Sequence, residues 1–188
     1  LDGMSVDLGG RRIIKKRDFW YFKGYLSEGS IWIERALESE GKISPAIRSK
    51  TLNTASRLAY ARGDHTDGEH LARQALSLAR DIDDKDNCAW AHIWLPSHLM
   101  ASSDKIKEAM VYAEEGLRLF RELDHKSGIT FGVNMLGEIA RLDGDYARAS
   151  RLYEECRALS IEMGNRRHEA ISLANLSYVA YHQGNYDR

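Results

Sequence analysis

The sequence is poor in the residues that would staple or interrupt it. It has two cysteines in 188 residues, Cys88 and Cys156, with no framework spacing. That excludes a disulfide scaffold and makes a reduced, cytoplasmic setting the default. Two prolines leave room for long helices. No apolar run approaches the length of a membrane span, and "LDGMSVDLGGRR" lacks the apolar centre of a secretory leader. A formal net charge of −1 gives no global pull toward nucleic acid or an anionic membrane surface.

What is present is a repeat. The turn phrases "RGDH", "SDKI", "DGDY" and "QGNY" place Gly63, Asp104, Gly144 and Gly184 at steps of 41, 40 and 40 residues, and 39 residues before Gly63 stands Gly24. Three further columns keep the same register. Five residues after the marker stand Gly29, Gly68, Ala109 and Ala149; twelve after it, Ala36, Ala75, Gly116 and Cys156. Two after it stand the larger Leu26, His65, Ile106, Tyr146 and Tyr186. Small residues at fixed points let helix backbones approach, and bulkier neighbours fill the remaining space.

Each period reads as two helices, A before the marker and B after it. Leu173, Leu176 and Ala180 share one helical face, as do Ala149, Leu152, Tyr153, Cys156 and Leu159. The marker glycines suit left-handed closure of helix A. Asp64, Asp145 and Asn185 suit the start of helix B, and Ser44–Pro45 another helix start. The expected divisions are an extended segment 1–10 and repeats at about 11–43, 44–84, 85–125, 126–165 and 166–188. The closing "GNYDR" opens a helix B whose remainder is absent, so the chain is expected to be a fragment of a longer array.

Leu136, Gly137, Ala140, Tyr146, Ala149, Tyr153 and Cys156 follow the spacing of the tetratricopeptide signature, and residues 11–188 resemble a long variant of that repeat. The resemblance implies an all-α fold, a right-handed α-solenoid of about 4.5 helix-turn-helix repeats. A second, narrower likeness lies in "FWYFKGYLSEGSIWIERALE". Phe19, Trp20, Gly24, Leu26, Ser27, Glu28, Gly29, Trp32, Glu34, Arg35, Ala36 and Leu37 resemble the entry to the repeat region of bacterial STAND-type signalling ATPases. Those proteins are often regulators with LuxR-like or SARP-like DNA-binding modules. The likeness implies a sensor or interaction region in signal transduction and transcriptional regulation.

No arrangement points to catalysis. In "DHTDGEH" His65 and Gly68 already belong to repeat columns, so a metal site is not required. "DIDDKD" lacks the glycine and glutamate of a calcium loop, with Asp86 and His92 in their places. Gly41–Lys42 is not a phosphate loop, since Ala36 and Ile43 stand where Gly and Ser/Thr are needed. Cys156 sits in a small-residue column as an inert packing thiol. No metal or cofactor is expected. The aromatics Phe19 to Phe22 are expected mainly to pack, with some reaching a groove or a partner upstream. Pro96 interrupts a helix A and is expected to kink it.

Carrying the resemblance across column by column, a concave groove would be lined by Tyr21 and Asp18 from the first repeat. Lys50, Asn53, Arg57 and Tyr60 come from the second, Trp94 and His98 from the third. Asn134, Glu138 and Arg141 come from the fourth, Asn175, Tyr178 and Tyr181 from the last. These types suit an extended peptide: Asn pairs with backbone amides, Arg grips carboxylates, and Tyr and Trp give large contacts with a polar end. The expected activity is non-catalytic binding of a protein or peptide, or of other domains of the same polypeptide. Nucleic acid or a small-molecule inducer is the alternative. Leu173, Leu176 and Ala180 offer a face through which a second copy would make a homo-oligomer. Membrane association is not expected.

Overall fold

The computed structural model describes residues 20–21, 23–38 and 43–185. Phe19, Phe22, Asp18, Tyr186, the segment 1–10 and the start of a helix after Asn185 lie outside the described residues. The described elements are α1 (Leu26–Glu38), α2 (Pro45–Arg62), α3 (His65–Asp81) and α4 (Lys85–Leu99), then a 3₁₀ turn (Ser103–Lys105). After it come α5 (Ile106–Glu122), α6 (Lys126–Leu142), α7 (Tyr146–Glu162) and α8 (Arg166–His182). The fold is all-α. Trp20 and Tyr21 are also helical. The A helices are α2, α4, α6 and α8; the B helices are α1, α3, α5 and α7. Two compact units are formed, Leu1–His98 and Leu99–Arg188.

The turns carry the repeat. Gly63 (φ 77°) donates to the Tyr60 carbonyl and Asp64 to that of Ala59, so two orphan carbonyls at the end of α2 are satisfied. Gly144 (φ 83°) repeats the arrangement with Asp145 and Ala140. The expected caps are in place: Ser44, Asp64 and Asp145 accept from the amides of Ile47, Asp67 and Arg148. At the third marker there is no glycine, and the chain turns instead through Ser103–Lys105.

A second series of turns, from each B helix to the next A helix, carries the same geometry. There Asp83 (φ 53°), Asp124 (φ 48°) and Gly164 (φ 65°) take the left-handed position. Asp84, His125 and Asn165 follow as caps, each accepting from the amide three residues on. "DIDDKD" is therefore a helix-to-helix turn, with Asp84 serving the start of α4.

Both small-residue columns are buried. Ala109, Ala149, Ala75 and Cys156 are fully enclosed and Ala36 nearly so, with Gly29, Gly68 and Gly116 buried beside them. In the first unit Trp20, Ile33, Ala36, Ala55 and Leu58 form a core that Tyr21, Leu26, Trp32, Leu37 and Leu71 extend. In the second, Ala140, Ala149, Tyr153 and Val179 form one, flanked by Tyr146, Leu152 and Leu176. The Tyr153 ring lies across Gly137, where a Cβ would come within 2.6 Å of its Cε1. Phe120 lies across Gly128 in the same way, at 2.3 Å. Ion pairs such as Arg148–Glu114, between α7 and α5, and Lys126–Glu162, between α6 and α7, lie at the surface, where each contributes little.

α2 is buried on every side between Thr51 and Ala59 although half of that stretch is polar. Its hydroxyl groups are bonded inside the fold. Ser49 Oγ donates to the Ala75 carbonyl and Ser56 Oγ to that of Gly68. Thr51 and Thr54 bond back to the carbonyls of Ile47 and Lys50. α4 is continuously α-helical from Lys85 to Leu99 with Pro96 buried inside it.

Candidate binding strips on the A helices

In the first unit Tyr21, ahead of α1, meets Arg57 of α2, which also meets Trp94 of α4. The Arg57 guanidinium carbon lies 4.2 Å from the Tyr21 ring centroid and 5.7 Å from that of Trp94. Trp94 in turn stacks on Trp90 with 15° between the planes. Guanidinium and indole faces in this arrangement attract through the ring quadrupole. Asn53 Nδ2 donates to the Asn87 carbonyl at 3.0 Å, tying α2 to the start of α4. Arg57 and Asn53 are 8% and 5% exposed, so both are enclosed rather than open to a groove. Lys50 is half-buried and joins none of these contacts.

Tyr60 and His98 form a different group, with His65. The three rings meet edge to face with centroids 5.8–6.1 Å apart. His98 is 3% exposed and turned into the packing between α4, α2 and α3, not outward. Ser56 has one hydroxyl proton and gives it to the Gly68 carbonyl. The 2.9 Å contact between His98 Nε2 and Ser56 Oγ is therefore a bond that His98 donates. Its Nδ1 then carries a buried lone pair with no partner among the described residues. Burial, and next the neighbouring His65, push the imidazole down to about 4. His70 diverges from this group and contacts Gln74 at the surface.

In the second unit, five of the expected residues converge. Glu138 Oε1 accepts from Asn175 Nδ2 at 2.7 Å and from the Tyr153 hydroxyl at 2.8 Å. Glu138 Oε2 accepts from Arg141 Nη2 at 2.8 Å. Asn175 Nδ2 also donates to Asn134 Oδ1 at 3.3 Å, and the Arg141 guanidinium lies 4.9 Å from the Tyr178 ring centroid. Tyr181 stands apart, 65% exposed, its ring edge-on to His182. Tyr153, in α7, was not among the groove positions. It reads from sequence as a packing aromatic, and its hydroxyl reaches Glu138 only because Gly137 lets the ring lie flat across α6.

Neither thiol is activated: burial pushes both Cys88 and Cys156 up. Among the described residues no helix is long and apolar enough to cross a membrane.

No protein-family model and no curated protein matches the chain. Solved structures do match its fold. Against the Rap protein complexed with competence and sporulation factor, the TM-score is 0.87 at 14% identity, covering 98% of this chain and 51% of Rap. The chain thus spans about half the length of that protein. The TPR-like repeats of a putative kinesin light chain from Podospora anserina give a TM-score of 0.67 at 15% identity, covering 96% of this chain and 90% of that one. A STAND protein with a tetratricopeptide repeat sensor from Pyrococcus horikoshii gives 0.68 at 14% identity, covering 95% of this chain and 27% of that one. The chain therefore has the fold of tetratricopeptide-type helical repeats, as these three proteins do.

Proposed function

We propose that the chain is a non-catalytic binding scaffold whose helices α6 and α8 take an extended protein or peptide segment. In this reading it is the sensor or interaction region of a larger cytoplasmic signalling regulator in bacteria. The observation that carries the reading is the convergence of Asn134, Glu138, Arg141, Asn175 and Tyr178 on α6 and α8. Half-buried polar groups held by one another cost less to order on binding than free surface side chains. The Rap structure supports the reading, since that protein carries this fold in complex with competence and sporulation factor. The STAND protein supports the regulatory part, since its repeats are described as a sensor.

The test is an arrayed library of end-blocked random dodecapeptides. Captured peptides should bind the Arg141→Ala variant at least about tenfold more weakly, and their affinity should depend little on salt. Capture of no peptide, or unchanged affinity in the Arg141→Ala variant, overturns the reading. A steep salt dependence would point to a polyanion instead.

A further inference from the structure

We infer that Glu138 is a positioning residue: it fixes the side-chain amides of Asn175 and Asn134 so that they present one acceptor and one donor, the complement of a peptide group. This rests on the peptide-binding reading above and assigns Glu138 a part within it.

The orientation follows from hydrogen-bond bookkeeping. An ionised carboxylate can only accept, so the Asn175 atom 2.7 Å from Glu138 Oε1 must be its nitrogen. The second proton of that nitrogen is directed at Asn134, so the Asn134 atom 3.3 Å away must be its oxygen. Both amide flips are thereby set by one carboxylate. Asn175 Oδ1 and Asn134 Nδ2 are left over, and neither bonds to any described residue.

Both side chains are half-buried, so a leftover acceptor and donor here are worth more when paired by a ligand than on an open surface. A backbone C=O fits the Asn134 nitrogen, and a backbone N–H fits the Asn175 oxygen. Glu138 itself is not a ligand contact in this arrangement. Its oxygens are taken by Asn175, Tyr153 and Arg141, which belong to α8, α7 and α6. The same carboxylate therefore ties three helices together and sets the polarity of the strip.

Glu138→Gln and Glu138→Ala separate positioning from folding. Glutamine keeps an oxygen that can accept from Asn175 and Tyr153; alanine keeps none. Peptides captured from the arrayed library should bind Glu138→Gln within about threefold of the parent and Glu138→Ala about tenfold or more weakly. Glu138→Ala combined with Asn175→Ala should be no worse than Asn175→Ala alone, since the carboxylate acts through that amide. Without ligand, the Asn175 side-chain ¹⁵N–¹H resonances should be dispersed in the parent and in Glu138→Gln, and move to free-amide positions in Glu138→Ala. Peptides that bind Glu138→Ala as tightly as the parent overturn the inference and leave the binding reading intact. Asn175 resonances unmoved by Glu138→Ala overturn it too. Capture of no peptide by the parent overturns the binding reading and the inference with it.

Discussion

His98 lies across Gly68 so closely that a Cβ at position 68 would come within 2.0 Å of its Cε1. The ring cannot yield easily, because it is enclosed and bonded to Ser56. Gly68→Ala should therefore destabilise the protein by about 1–3 kcal/mol, the range for overpacking a filled interior. Gly63 is the contrast: a Cβ there meets nothing within 4 Å, but φ is +77°. Gly63→Ala should cost about 1 kcal/mol, from backbone strain alone. Urea unfolding of the two variants checks the order.

His98 also gives the fold a pH dependence. Its imidazole is pushed down to about 4 in the folded protein, from 6.5 for a free side chain. Burial is the main cause and His65 the next; Ser56, Glu69 and Asp64 act the other way. The depressed value means that the folded state holds His98 neutral while the unfolded chain takes up a proton. Stability is thus unaffected above pH 6.5 and lost as pH falls from there toward 4, by at most about 3 kcal/mol. His98→Gln should remove that part of the slope. Equal slopes for parent and variant between those pH values would contradict the assignment.

Asp124 occupies a left-handed position, φ 48°, that Gly164 fills in the next repeat. Asp124→Gly should raise stability by about 0.5–1 kcal/mol by relieving the Cβ–carbonyl contact. A lower melting temperature for this variant would show that the aspartate side chain contributes more than its strain costs.

These turns mark what could be read in advance. The A-to-B turns were legible because glycine holds three of the four from Gly63 onward, and the small columns were legible because Ala, Gly and Cys mark where helices touch. The left-handed residues of the B-to-A turns were not, because aspartate takes that position at Asp83 and Asp124. The strip on α6 and α8 was legible as polar residues at helical spacing, and its residues do converge. On α2 the same kind of pattern misleads. Asn53 and Arg57 look like solvent-facing residues, but Asn53 is used by the Asn87 carbonyl and Arg57 is enclosed between rings. Residue type alone does not separate a polar group satisfied inside from one left open.

Pro96 sits buried inside α4, where it cannot donate to the His92 carbonyl. Pro96→Ala restores that donor and should stabilise the protein by about 1–3 kcal/mol. Unchanged or reduced stability would show that the surrounding packing is matched to the proline ring. Calorimetry of the variant decides between these outcomes.

The most direct measurement is a ¹⁵N–¹H perturbation map of the protein with a peptide captured from the library. The account predicts that the side-chain amides of Asn134 and Asn175 shift and saturate together with backbone amides of α6 and α8. Shifts confined instead to the outer faces of α5 and α7, around Val111 and Arg151, with both asparagine side chains unmoved, would contradict it.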